Sequence, residues 1–518
     1  MKINLYKKYY NQLKGIKKLR QKKNYLTVIN TVNSVFNEKI KLNIKKPFFF
    51  PKNFENFIQK IIRQNLMHFS QIYFLDLFEY YGNNKKLRSL IPNEYAEYLE
   101  KKFNIKTNRF ICKFYLFKFS IHYFFKSLKL IISLIFDKNK KKYDLIFFNT
   151  PIECYNTNDP HAYNLVNWYK ENFSQNNLKN EKILIQNNQI KKKIDYPNIY
   201  FDKNVNFGGL NFTLKLKFLI SLFIPFLYSF VSIIFNRWWD LILFYELIYL
   251  NYIKLIPKNS LPKKLFFNNS QWYYKPLYLN YLESLNKNSN YLLFYSANME
   301  NFNYRKFQKI EHYGYNQIDF QNIIVWDKYQ KKYIQNYNDK SNILVCNYVD
   351  FIENKTNLQI NNPKKLKIIS VFDVHPSENI LTNMMSGYEL PPYYSNEICL
   401  TFLKDIGIAN EHKYLLLYKS KRFDLKKTNL KKFNFDKKII IDKYFQELHP
   451  EISPRRIIES SDACISIPFT STSLISKYYS KPSVFYDSKN MLENKEYHEI
   501  QVLKNIEELK NWINKLQI

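Results

Sequence analysis

From residue 366 onward the chain repeats one unit: an apolar run of strand length, a polar break, and a stretch of helix length. Leu366 to Val374 reads as a strand and Asn396 to Ile408 as a helix. Tyr414 to Tyr418 and Lys438 to Asp442 follow as strands. A helix then runs to Ser460, with Ser453 as its cap and Pro454 near its first turn. Ala463 to Ile467 is a buried strand, stopped by Pro468 and followed by four hydroxyl residues, Thr470 to Ser473. These open a helix-like segment that reaches Tyr479; Val484 to Tyr486 and a helix over Glu507 to Leu516 complete the series. Strands alternating with helices return through crossovers, and that order makes a doubly wound parallel sheet.

A looser version of the rhythm begins at residue 143. Tyr143 to Phe148 and Lys182 to Gln186 read as strands, with a weaker one near Ile199. Tyr291 to Tyr295, Asn322 to Trp326 and Asn342 to Val349 follow after a hydrophobic block. The polar run Asn361–Lys365, which holds one proline, reads as a linker. The chain therefore divides at 1–142 (basic and helical), 143–360 (α/β, with a hydrophobic insertion over 211–250) and 361–518 (α/β).

The formal net charge is +35, part of which is the Lys, Asn and Ile bias of AT-rich coding. The remainder attracts acidic partners: phospholipid, nucleotide phosphates or nucleic acid. Nucleic acid is not expected, because no helix-turn-helix, basic zipper or base-stacking signature accompanies the charge. Five scattered cysteines and the lack of an apolar leader in residues 1–25 point to a reducing cytoplasm. Residues 110–136 are apolar and aromatic but carry Lys113, Lys118, Lys126 and Lys129, as an in-plane amphipathic helix would. Residues 218–235 are uncharged, at the lower limit for a membrane span. Pro225 lies inside them and Arg237-Trp-Trp239 follows. Monotopic attachment, a span and a buried helix all fit, attachment best.

A strand ending in hydroxyls at a helix start offers unpaired N–H groups, a positive dipole end and extra donors, which suits an anion. A simple helix cap by Thr470 or Ser471 is the plainer alternative. No glycine lies beyond Gly407, which removes the dinucleotide and P-loop fingerprints from the last sheet. No D-x-D pair occurs and the histidines do not cluster with cysteines, so metal-independent chemistry without a cofactor is expected. Lys419, Lys421 and Arg422 follow a strand end where such sheets bind ligands, although a solvated loop fits them equally well. His449-Pro450 precedes a helix whose first turns carry Arg455 and Arg456. Asp487 ends the strand from Val484 and reads as its cap or as a nucleoside contact.

Ser461-Asp462, Ile467-Pro-Phe-Thr-Ser-Thr472 and Lys481-Pro-Ser-Val-Phe-Tyr-Asp487 resemble the bacterial polysaccharide-biosynthesis family with the Pro-Phe-Thr-Ser motif. Phe294-Tyr-Ser-Ala-Asn-Met299, Val325-Trp-Asp-Lys-Tyr-Gln330 and Ser370-Val-Phe-Asp-Val374 agree in order, so the resemblance covers about residues 290–490. That family resembles glycosyltransferases built from two Rossmann-like domains facing a cleft (GT-B-like). The resemblance implies an acceptor side at 143–360 and a nucleotide-sugar donor domain at 361–518. Thr470, Ser471, Thr472, Ser473, Lys419, Lys421, Arg422, His449, Arg455 and Asp487 are then the candidates for the donor nucleotide and its phosphates. An acceptor hydroxyl must lose its proton to a carboxylate or imidazole. Asp373, Glu300 and His375 are the candidates for that role.

The expected function is transfer of a sugar from a nucleotide-activated donor to a lipid-linked or glycan acceptor, in surface polysaccharide biosynthesis (capsule, O-antigen or lipopolysaccharide). The expected place is the inner face of the cytoplasmic membrane, peripheral or monotopic. A glycerophosphate or sugar-phosphate transferase is the alternative within the enzyme class. A non-catalytic basic binding or scaffold protein is the alternative outside it.

Overall fold

The computed structural model describes residues 47–50, 93–137, 142–150, 164–173, 181–187, 194–203, 209–235, 239–268, 275–285, 289–294, 318–349, 358–374, 396–411, 413–419, 444–449, 452–468 and 470–516, with a few isolated positions besides. Two α/β sheets follow one another along the chain. The first has eight strands: β1 (Leu145–Phe148), β2 (Ile183–Gln186), β3 (Ile194–Tyr196), β4 (Ile199–Asp202), β5 (Lys264–Phe267), β6 (Ser289–Leu293), β7 (Asn322–Val325) and β8 (Asn342–Val345). Their order is β3-β4-β2-β1-β5-β6-β7-β8, and every pair is parallel except β3 with β4. The second contains β9 (Ile368–Phe372), β10 (Leu415–Lys419), β11 (Phe445–Glu447), β12 (Ala463–Ser466), β13 (Ser483–Tyr486), β14 (Glu496–Tyr497) and β15 (Ile500–Leu503). Its order is β11-β10-β9-β12-β13-β15-β14, parallel except for the β14–β15 hairpin.

Buried parallel strands need apolar side chains on both faces, because helices cover both. Leu145 and Phe147 of β1 enter one core with Trp168 and Tyr169, while Ile146 and Phe148 enter another with Phe244 and Ile248. The second sheet divides likewise. Ile369 and Val371 pack with Phe402 and Leu509, and Phe372 with Leu417 and Ile457. The strand expected over Lys438–Asp442 lies outside the described residues; the described strand beside β10 is β11. Residues Cys346–Val349 leave β8 and are not strand. Five strands had not been anticipated: β3 and the central β5 in the first sheet, and β11, β14 and β15 in the second. The expected linker is docked rather than free: Asn361 N–H donates to Gln446 Oε1 at 3.0 Å, and Gln446 Nε2 donates to the Gln359 carbonyl at 2.7 Å.

Among the described residues the α-helices are α1 (Asn93–Phe103), α2 (Arg109–Ile135), α3 (Asn164–Phe173), α4 (Phe212–Ile234), α5 (Trp239–Lys254), α6 (Leu277–Ser284), α7 (Lys328–Gln335), α8 (Asn396–Asn410), α9 (Pro454–Glu459), α10 (Thr472–Tyr478) and α11 (Ile506–Lys515), with isolated helical positions before residue 93. Between β4 and β5 the chain makes α4 and α5, and α2 packs beside them. Helix α5 is buried almost all round, as its continuous apolar sequence requires. It touches α4 through Phe218 on Tyr252 and α2 through Tyr245 on Tyr123. Phe110, Phe114, Phe117, Phe125, Ile132 and Phe136 recur along one exposed side of α2. Phe212, Leu216, Ile220, Phe223, Leu227, Phe230 and Ile234 do the same on α4, whose opposite side buries Leu222, Ser229 and Ser232. By length and composition α4 could cross a membrane.

Side chains also join the two sheets. Asp327, which caps α7, meets the His498 ring from the β14–β15 turn, and Tyr329 hydroxyl donates to Glu499 at 3.0 Å. Trp326 packs on the second sheet's core. Arg455 Nη1 donates to Asn164 Oδ1 at 2.8 Å, at the start of α3.

Candidate functional site

In the second sheet β9 lies between β10 and β12, so the connections leave it in opposite directions. Such a switch point opens a crevice at the carboxyl ends of the diverging strands. Register sets what lines it. Phe372 pairs with Lys419 on one side and with Ser466 on the other, so Asp373, Lys419 and the segment after Ile467 share one edge.

Asp373 and Lys419 are 3% and 7% exposed. Tyr418 hydroxyl donates to Asp373 Oδ2 at 2.5 Å. Burial pushes the Lys419 ammonium below the ordinary lysine range, and the Asp373 carboxylate partly opposes it. Burial first, then the Asp373 charge, holds the Tyr418 phenol well above its usual value. Beneath them Cys399 Sγ lies 3.8 Å from the Val374 carbonyl, and its thiol is raised chiefly by burial. A buried lysine beside a carboxylate with its own donor is a preformed polar centre in an apolar sheet. Its cation can meet a phosphate, and its carboxylate can take a proton.

The hydroxyl run divides. Thr470 Oγ1 donates to the Ile467 carbonyl at 3.0 Å, and Thr472 Oγ1 donates to Thr470 Oγ1 at 3.1 Å. Ser473 is buried, bonds the Ser466 hydroxyl and donates to the Val484 carbonyl at 3.0 Å. Its hydroxyl thus ties helix to sheet. Ser471 precedes the helix, is half-buried, and makes no side-chain capping bond. Of the four it keeps the freest hydroxyl at the crevice.

The other expected residues scatter. Arg455 bonds Asn164 and Glu459, each at 2.8 Å. Asp487 is buried, with Oδ2 accepting from Leu492 N–H at 2.8 Å, so it pins the turn after β13. His449 is exposed after β11, the edge strand beyond β10. Glu300, His375, Lys421 and Arg422 lie outside the described residues. Tyr418 was missed as a functional group; its only signal was its place at a strand end. No three His, Cys, Asp or Glu side chains gather to hold a metal among the described residues.

The first sheet has the same device. β1 lies between β2 and β5. Asn149 and Thr150 end β1, Gln186 and Asn187 end β2, and Asn268 ends β5. Asn149 N–H donates to Gln186 Oε1 at 3.0 Å, and Gln186 Nε2 donates to the Lys203 carbonyl at 2.8 Å. Asn187 Nδ2 donates to the Thr150 carbonyl.

No curated protein matches the chain. Among solved structures it is similar to the wall teichoic acid polymerase TagF (TM-score 0.38, 12% identity, 77% of this chain and 89% of that one). It is also similar to the trehalose 6-phosphate synthase of Burkholderia multivorans (0.36, 8%, 73% and 91%). A mutant of S. aureus TarM, solved with fondaparinux, α-GlcNAc-glycerol and UDP, scores 0.29 at 14% identity. That match covers 52% of each chain, so the chain spans about half of TarM. Likeness at these scores says nothing about substrate. The crevice segment is more specific, since Pro468, Phe469, Thr470 and Ser471 spell the motif that names a family whose model matches residues 228–513, and the chain belongs to that family, the polysaccharide biosynthesis PFTS motif proteins.

Proposed function

We propose that this protein is a glycosyltransferase of surface polysaccharide biosynthesis that takes a nucleotide-activated sugar at the β9/β12 crevice. The observation that carries the reading is the buried Asp373–Tyr418–Lys419 centre at that crevice, beside the family motif. Lys419 and Ser471 receive the donor phosphates, where fixed positive charge and a hydroxyl donor stabilise the leaving group. Asp373 takes the proton of the attacking acceptor hydroxyl. The acceptor, a glycan or a lipid-linked sugar, enters from the first sheet. Titrating the full chain with CMP-, UDP-, GDP- and CDP-sugars tests this, with donor hydrolysis as the second readout. Binding of at least one donor, weakened at least tenfold in Lys419→Met, is the expected result. A chain that binds none of the four, or binds one equally well without Lys419, overturns the reading.

The same reading places the protein on the inner face of the cytoplasmic membrane through α2 and α4. Exposed apolar patches of more than a few hundred Å² are rare on soluble monomers, and the two helices present rows of Phe, Leu and Ile. Exposed Lys113, Lys118 and Lys129 lie along the α2 row and can reach anionic headgroups. The triple change Ile220→Asp, Phe223→Asp, Ile224→Asp should move the protein from the membrane to the soluble fraction. An unchanged distribution would refute attachment through α4.

A further inference from the structure

We propose that the β1/β5 switch point of the first sheet binds a neutral, hydroxyl-rich ligand, a sugar or polyol, through the Asn268 carboxamide and the Thr150 hydroxyl. Both side chains are buried, 4% and 0% exposed, and Asn268 Oδ1, Asn268 Nδ2 and Thr150 Oγ1 all lack a hydrogen-bond partner among the described residues. Leaving a buried polar group unpaired costs about 1–3 kcal/mol. Three such atoms on adjoining strand ends, at the place where doubly wound sheets take ligands, are not explained by packing.

The surroundings hold the pair in place without using those atoms. Asn268 N–H donates to the Phe148 carbonyl at 3.2 Å, and Thr150 N–H donates to the Gln186 carbonyl at 3.0 Å. Gln186 and Asn187 spend their carboxamides on Asn149, Lys203 and Thr150 backbone, and Asn149 itself stands at φ 52°. Backbone and neighbouring side chains are therefore satisfied, and the unsatisfied atoms are those of Asn268 and Thr150.

The chemistry selects the ligand. A carboxamide offers donors and an acceptor, and a threonine hydroxyl offers both; a sugar hydroxyl also does both. None of Asn149, Thr150, Gln186, Asn187 and Asn268 ionises, so a phosphate would meet no countercharge from them. Among the described residues the nearest charged strand ends are Asp202-Lys203 at β4, two strands from β1, and Asp327-Lys328 after β7, two strands from β5. Naming this ligand the acceptor rests on the transfer reading above, whereas its binding does not.

The test is saturation-transfer NMR on the full chain with octyl glycosides of glucose, galactose and N-acetylglucosamine, and with glycerol 3-phosphate as the anionic probe. Thr150→Val and Asn268→Asp keep shape while removing a hydroxyl and an amide donor. The expected result is binding of at least one glycoside, weakened at least tenfold in each variant, with the melting temperature of Thr150→Val equal to or above wild type. No glycoside binding, binding indifferent to both changes, preference for the anion, or a destabilised Thr150→Val overturns the proposal. The last outcome would mean that a structural partner, such as an ordered water, uses the hydroxyl. Nucleotide titration of the same samples separates the two readings: glycoside binding without nucleotide binding removes the transferase and leaves this site standing.

Discussion

The two sheets carry the same switch-point geometry and line it with opposite chemistry. The second sheet puts a carboxylate, a phenol and an ammonium at β9 and β10; the first puts carboxamides and a threonine at β1, β2 and β5. A buried charge at a strand end is costly unless it is paired or hydrogen-bonded, and a charged ligand is one such partner. Neutral donors and acceptors suit hydroxyls and reject phosphates. If both proposals hold, one architecture used twice sorts two substrates by polarity.

The strongest way to break this contrast is at Asp373. Asp373→Asn should lower the rate of sugar transfer by about 10²–10⁴, the range for a positioned general base, with donor affinity nearly unchanged. A loss of affinity at an unchanged rate per bound donor would make Asp373 a residue that positions Lys419. Next in size, Lys419→Met should weaken nucleotide binding by about ten- to a hundredfold, since a charge-assisted bond contributes about 1.5–3 kcal/mol. Glycoside binding at the first sheet should not change in that variant; a parallel loss would mean that the two edges are one site. Ser471→Ala should cost about tenfold in nucleotide affinity, whereas Ser473→Ala should leave affinity alone and lower stability by about 1 kcal/mol. Calorimetric titration beside thermal melts reads both.

The smallest effect is with pH. Lys419 binds its proton less tightly in the folded protein than in the unfolded chain, so the unfolded state holds more protons between the two values. Stability without ligand therefore rises with pH as it passes from the depressed value toward the ordinary lysine range. Phosphate prefers the protonated ammonium, so nucleotide affinity should fall across the same window. Nucleotide titrations across alkaline pH should show an earlier decline in wild type than in Lys419→Arg. Matching profiles would remove Lys419 from the phosphate site.

Much of the second sheet could be read from the chain, because its strands are short apolar runs separated by polar breaks. β12 and β13 were delimited to within a residue or two by Pro468 and Pro482. β5 escaped notice for a physical reason. Lys264-Leu-Phe-Phe267 is four residues without alternation, close behind the apolar block of α4 and α5, and such a run does not distinguish strand from helix. At the site, Asp373 and Lys419 stood out as polar residues at strand ends. That they share an edge with Tyr418 between them depends on register, which single segments do not encode. The inward turn of Ser473 was invisible too, since a hydroxyl in sequence has no direction. Asn268 and Thr150 gave no signal, because being unpaired is a property of the surroundings.

The β1–β5 ladder has a consequence for how the protein is made. The two strands pair directly, yet residues 149–263 lie between them in the chain, including all of α4 and α5. During synthesis the first sheet cannot close until β5 has left the ribosome, and by then the exposed apolar row of α4 is already free to meet a bilayer or another chain. Long-range parallel pairing forms slowly and leaves such surfaces open to aggregation. Production of the first sheet in soluble form should thus depend on lipid or detergent present during translation, while the second sheet, whose adjacent β9 and β12 are also parted by residues 373–462, has no exposed apolar helix row like that of α4 among its described residues.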